Sequence, residues 1–148
     1  MHDPEIPLTG GRVTPGVVRK GDTVRRPITR DRGLQHDLLA HLEARGFDRV
    51  PRFLELDQQG REVLTFVAGN VPSDLGYFSD DQLCGAARLL RRFHDATADF
   101  PAVSAQAAEV ICHNDWGPPN CVFVNEMPHA LIDFDTLAPG LMSIGPEH

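Results

Sequence analysis

The spacing of apolar residues changes several times along this chain, and each change marks an element. Val17-Val18-Arg19 and Thr23-Val24-Arg25-Arg26 flank Lys20-Gly21-Asp22, which predicts two short strands around a glycine turn. From Leu34 the period lengthens: Leu34, Leu38 and Leu42 recur at i, i+4 and i+8, with Leu39 beside them, as on one face of a helix. Gly46 suits the left-handed position that ends such a helix, and Phe47 can supply the accompanying apolar contact. Residues 52–56 and 62–67 read as strands, with Asp57-Gln58-Gln59-Gly60 as their turn. Gly69, Pro72 and Gly76 make residues 68–78 a linker. Ser79-Asp80-Asp81-Gln82 then has the form of a capping box, with acids where a helix N-terminus favours them. Leu83, Ala87, Leu90 and His94 form the stripe expected to be buried on that helix, with Ala86 and Phe93 alongside, and Pro101 stops anything longer. Residues 110–112 are a short apolar segment, and 121–124 with 130–132 predict a hairpin around Asn125-Glu126-Met127-Pro128. Residues 1–16 read as a loose lead-in and 136–148 carry no clear period.

Composition narrows the class. Of 148 residues, 41% are hydrophobic and 24% charged, which fits a globular protein and excludes overall disorder. A formal net charge of −7 excludes a general nucleic-acid binder, whose phosphate contacts need excess Lys and Arg. Arg19, Lys20, Arg25, Arg26, Arg30 and Arg32 nevertheless cluster, as a solvated basic hairpin or with one or two of them facing phosphates. Cys84, Cys112 and Cys121 fall in no metal or disulfide spacing and read as reduced thiols. No basic and apolar leader opens the chain and no apolar run nears ~20 residues, so a cytoplasmic protein without a membrane span is expected.

The chemistry is concentrated in His113-Asn114-Asp115-Trp116-Gly117-Pro118-Pro119-Asn120 and Leu131-Ile132-Asp133-Phe134-Asp135. Asp115, in a loop stiffened by two prolines, is the candidate base. Asn120 and Asp133 are candidate Mg²⁺ ligands, since Mg²⁺ takes few protein oxygens and keeps water and phosphate for the rest. Asp135 shares a strand face with Asp133 if the strand continues, and is a candidate further ligand. A base beside a Mg²⁺ site is the minimal equipment for phosphoryl transfer. Each residue also has a plainer reading: Asp115 and Asn120 as turn formers, His113 as a satisfied buried imidazole.

The order His-x-Asp, Asn, then an apolar-Asp pair resembles the catalytic and metal loops of kinase-like phosphotransferases, and most of all the aminoglycoside phosphotransferase family. That resemblance implies an α+β, two-lobed, protein-kinase-like fold. Residues 1–70 would be a small sheet-rich nucleotide-binding lobe, and 71–148 an incomplete helical lobe. It implies transfer of a phosphoryl group from ATP or GTP, with Mg²⁺, to a hydroxyl of a small acceptor. Asp115 and His113 would be catalytic, His113 by holding the loop, and His94 would pack against that loop. Arg25 would replace the family's phosphate-binding strand lysine, and Gly10 and Gly11 would cover the nucleotide. No glutamate stands early in the following helix to pair with it; His36 and Asp37 do. The family continues beyond the Asp133 strand with further helices. A chain ending at His148 is therefore expected to be truncated, with Leu83, Leu90 and Phe93 partly uncovered and self-association through them. A catalytically inactive nucleotide-binding protein is the alternative. A glycosyltransferase using Asp133-Phe134-Asp135 as its Asp-x-Asp motif ranks last, since it leaves His113, Asp115 and Asn120 without a role.

Overall fold

The computed structural model describes residues 3–8, 15–72 and 76–141. Its architecture is mixed α+β. Strands β1 (Glu5–Pro7), β2 (Val18–Lys20), β3 (Thr23–Arg26), β4 (Phe53–Leu56) and β5 (Glu62–Thr65) form an antiparallel sheet in the order β1-β2-β3-β5-β4. Helix α1 (Gly33–Ala44) connects β3 to β4. Beyond the linker come α2 (Asp80–Thr97), the short α3 (Pro101–Ala105), and β6 (Val110–Cys112), β7 (Cys121–Val124), β8 (Met127–Leu131) and β9 (Ala138–Gly140). There β7 pairs with β8, and β6 with β9.

Local chemistry accounts for most boundaries. At the β2–β3 turn Gly21 adopts φ 59°, and a β-carbon there would fall 2.6 Å from Asp3 Oδ2. Helix α1 ends as expected: Phe47 N donates to Leu42 O and Gly46 N to Glu43 O, the two bonds of a Schellman cap. Helix α2 opens on the expected capping box, Gln82 N donating to Ser79 Oγ and Ser79 N to Gln82 Oε1. At the start of the β4–β5 turn, Asp57 accepts hydrogen bonds from Arg61, Arg25 and Gln59. Burial would raise its carboxyl, but these donors outweigh burial and hold it near a pKa of about 2.

Several expectations are corrected. The lead-in contains β1, and the tail contains β9, whose Pro139 sits where, among the described residues, the sheet has no further strand to serve. Met127 and Pro128 belong to β8 rather than to the turn. The turn is Asn125-Glu126 alone, both left-handed at φ 51° and 66°, as two-residue hairpin turns require. Pro101 does not only stop a helix; it starts α3. The buried face of α2 holds the expected His94 and Phe93 and adds Leu89 and Thr97, while Leu83 is 57% exposed and Ala87 is exposed. Phe93, expected to be partly uncovered, is fully buried.

A single apolar cluster runs from Leu38, Leu39 and Leu42 on α1 and Leu64 on β5, through Leu89 and Phe93 on α2, to Ile111, Phe123, Leu131 and Phe134. Phe134 stacks on Phe93 at 6.2 Å and tilts against His113 at 5.5 Å. Thr97 ties α2 to β6, its hydroxyl accepting from Ile111 N at 3.0 Å. Among the described residues no helix is long and apolar enough to cross a membrane.

Candidate functional site

The His113 loop and the Asp133 segment are drawn together by backbone bonds. His113 is buried. Its Nε2 donates to the Ile132 carbonyl at 2.9 Å, and its Nδ1 accepts from Asp115 N at 3.2 Å. A carbonyl can only accept and an amide can only donate, so the two partners select the neutral Nε2–H tautomer. His113 therefore hydrogen-bonds both within its own loop and to the segment that carries Asp133. Asn114, left-handed at φ 68°, donates from Nδ2 to Thr136 O, and Thr136 Oγ1 donates back to His113 O. Asn120 Nδ2 donates to both Asp115 O and Asp115 Oδ2, at 2.8 and 3.1 Å, while Ile132 N donates to Asn120 O. His113, Asp115, Asn120 and Asp133 thus belong to one small unit.

Asn120 and Asp133 of that unit, but neither His113 nor Asp115, line one wall of a cleft of about 200 Å³; the sheet and α1 form the other. Val24, Leu64 and Phe66 supply an apolar face opposite Val122, Ile132 and Phe134, and the polar groups gather toward Asn120 and Asp133. Asp133 holds a left-handed φ of 62°, a region that Asp tolerates better than most residues bearing a side chain. Burial first, and then the nearby charge of Asp135, push its carboxyl above the usual range.

Register decides which arginine faces the cleft. Arg26 pairs with Glu62 and Arg25 with Val63 across β3 and β5, so the two arginines point to opposite faces. Arg26 lines the cleft, whereas Arg25 donates to Asp57 at 3.2 Å on the other side. Arg25, expected to face a nucleotide phosphate, is thus on the sheet face away from this cleft, and Arg26 is on the face toward it. Gly10 and Gly11 lie outside the described residues.

Around Arg26 lies a charged network that sequence reasoning missed. Glu62, 2% exposed, takes His36 Nε2 at 2.9 Å and Arg32 Nε at 3.4 Å, with Arg26 Nε at 4.0 Å. Asp135 accepts from Arg26 Nη2 at 3.2 Å and from Arg32 Nη1 at 2.6 Å. Burial works to raise the Asp135 carboxyl, but these guanidiniums prevail and hold it below the usual range. Asp135 is therefore turned to the arginines, while Asn120 and Asp133 line the cleft. Gln35 Nε2 adds a bond to Phe134 O at 3.2 Å. The hint in the sequence was the basic run through Arg32, with Glu62 placed one strand away. Among the described residues no cluster of three or more His, Cys, Asp or Glu forms a metal site.

No family model matches the chain. It is similar to the trifolitoxin immunity protein of Rhizobium leguminosarum bv. trifolii. The two are 37% identical over 153 aligned positions, covering 94% of this chain. The chain spans 58% of the length of that curated relative. This corrects the expected membership of the aminoglycoside phosphotransferases, and with it the expected transfer of phosphate from ATP or GTP to a hydroxyl. The relative is named for immunity, and no kinase family model matches. The physical lesson is that the pattern leading to that expectation consisted of a few polar residues in loops. Such a short motif is a weaker guide than likeness along most of a chain.

Proposed function

We propose that this chain serves in immunity against a toxic molecule, by holding that molecule in the cleft between the sheet and the 119–134 segment. The observation that carries this reading is the likeness to the trifolitoxin immunity protein along 94% of the chain. The cleft supports it, since an apolar groove with a few polar groups at one end suits capture of a small ligand. In this reading residues 1–70 and 71–148 act as two lobes around the cleft, arranged in the manner of kinase-like folds. The test is survival. Trifolitoxin-sensitive cells expressing this chain should outlive the parent strain, and Val24→Trp, which fills the cleft, should remove the protection while the circular dichroism spectrum stays unchanged. Protection that persists in Val24→Trp sinks the assignment to the cleft.

A second reading is favoured by the Asn120–Asp115 bond beside Asp133. Here the chain alters the toxic molecule, with Asp115 accepting a proton and Asn120 and Asp133 holding Mg²⁺. Recovery of the toxin after incubation separates the two readings: an unchanged mass means holding, a changed mass means modification.

A further inference from the structure

The polar end of the cleft carries one carboxylate that its arginines do not pair with. Arg26 and Arg32 stand 3.2 and 2.6 Å from Asp135, and 4.0 and 3.4 Å from Glu62, so two cations already meet two carboxylates. Asp133 is the third. Among the described residues it enters no ion pair, and Asp135 N donates to its Oδ1 over a long 3.4 Å.

Asn120 is joined to the same segment, since Ile132 N donates to Asn120 O. Its amide nitrogen donates to Asp115 O and Asp115 Oδ2, and a carbonyl can only accept, so the amide is oriented with Oδ1 on the other side. Among the described residues that oxygen accepts no hydrogen bond, although Asn120 is 3% exposed and lines the cleft. An amide oxygen so enclosed calls for a donor.

We propose that Asp133 and Asn120 Oδ1 seat a protonated amine of the cleft's ligand, which makes that ligand an apolar molecule bearing one ammonium group. The inference rests on the reading of the cleft as the place where a molecule is held. An ammonium brings three donors and one positive charge. Its N–H groups serve the amide oxygen and the carboxylate, and its charge offsets the surplus one. An anionic group would instead meet Asp133 with like charge and find both arginines engaged. The apolar requirement follows from Val24, Leu64, Phe66 and Val122 on the facing walls.

The experiment compares 2-naphthylmethylammonium with 2-naphthylmethanol, which share an apolar body and differ in charge. Buffers are kept free of divalent metal, because the second reading places Mg²⁺ on the same two residues. By titration calorimetry the wild-type chain should bind the ammonium compound about tenfold or more tightly than the alcohol, the worth of a charge-assisted hydrogen bond. Asp133→Asn should bring that ratio close to one. Asparagine accepts the left-handed φ of 62° as aspartate does, and a melting curve checks that the variant is folded. Equal binding of the two compounds by the wild type overturns the ammonium seat while leaving the cleft as a binding site, and this arm needs no variant to fold. A preference that survives in Asp133→Asn overturns it as well. If neither compound binds, the seat is again overturned, and survival under trifolitoxin then judges the immunity reading separately.

Discussion

Gly69 lies so close to Phe123 that a β-carbon on it would fall 2.6 Å from the Phe123 carbonyl oxygen, and 2.4 Å from Val122 Cγ1. Its φ of 149° is also one that side-chain-bearing residues rarely adopt. The contact brings Asn70 and Phe123 together, and they exchange both backbone hydrogen bonds, at 2.8 and 2.7 Å. Gly69→Ala should therefore cost roughly 2–5 kcal/mol, combining backbone strain with overpacking. Urea unfolding measures the loss, and faster hydrogen exchange at the Phe123 amide would localise it. A variant as stable as the wild type would mean that the linker does not grip β7 as described.

Glu62 is the hub of the buried charges, with His36, Arg32 and Arg26 around it. Removing the Glu62 charge leaves Arg26 and Arg32 to share the carboxylate of Asp135. Glu62→Gln should destabilise the chain by about 3–5 kcal/mol. A double substitution, Glu62→Gln with Arg32→Met, should recover part of that loss. Additive losses in the double variant would show that the two residues do not interact.

The α1 cap, the α2 capping box and the β2–β3 turn were legible because their signals are local: Gly46 with Phe47, Ser79 with Gln82, Gly21 between valine-containing runs. The short strands β1 and β9 were not, because each contains proline and exists through a partner far along the chain. The face of α2 was misread for a related reason. Its apolar residues cover more than one stripe, and contact with β6 and β8, not spacing, chooses Leu89 over Leu83 and Ala87. In the site, the His113, Asp115 and Asn120 grouping was visible as a tight loop. Arg26 against Arg25 turned on a one-residue register, and Glu62 acquires its partners only when β5 meets α1.

Acid should act on Asp57. Its folded pKa of about 2 lies below the model-compound value of 3.8, so its contribution is complete above about pH 4 and is lost as pH falls toward 2. Unfolding free energies measured from pH 5 to pH 2 should fall less steeply in Asp57→Asn than in the wild type. Parallel profiles would show that Asp57 gains nothing from Arg61 and Arg25 in the folded state.

Thiol chemistry should rank the cysteines. Cys84 is exposed, whereas burial pushes the Cys121 thiol up to about 11 and raises Cys112 to a lesser degree. Because the thiolate is the reactive form, iodoacetamide at neutral pH should label Cys84 first and Cys121 last. Peptide mass spectrometry reads the order, and early labelling of Cys121 would contradict the packing of β7 against β8.

The capping box of α2 has a second attachment, since Gln82 also donates from Nε2 to Glu126 O at 2.8 Å, across 44 residues of chain. Its oxygen serves the helix and its nitrogen serves the hairpin turn, so one amide belongs to two structures that form by different routes. The Ser79 half is local and can arise with the first turn of the helix, in about a microsecond or less. The Glu126 half must wait until the hairpin has formed and docked. Gln82 therefore acts as a clock for assembly: a substitution that keeps the oxygen but removes the amide N–H donor, Gln82→Glu, should leave helix initiation untouched and loosen the later docking step.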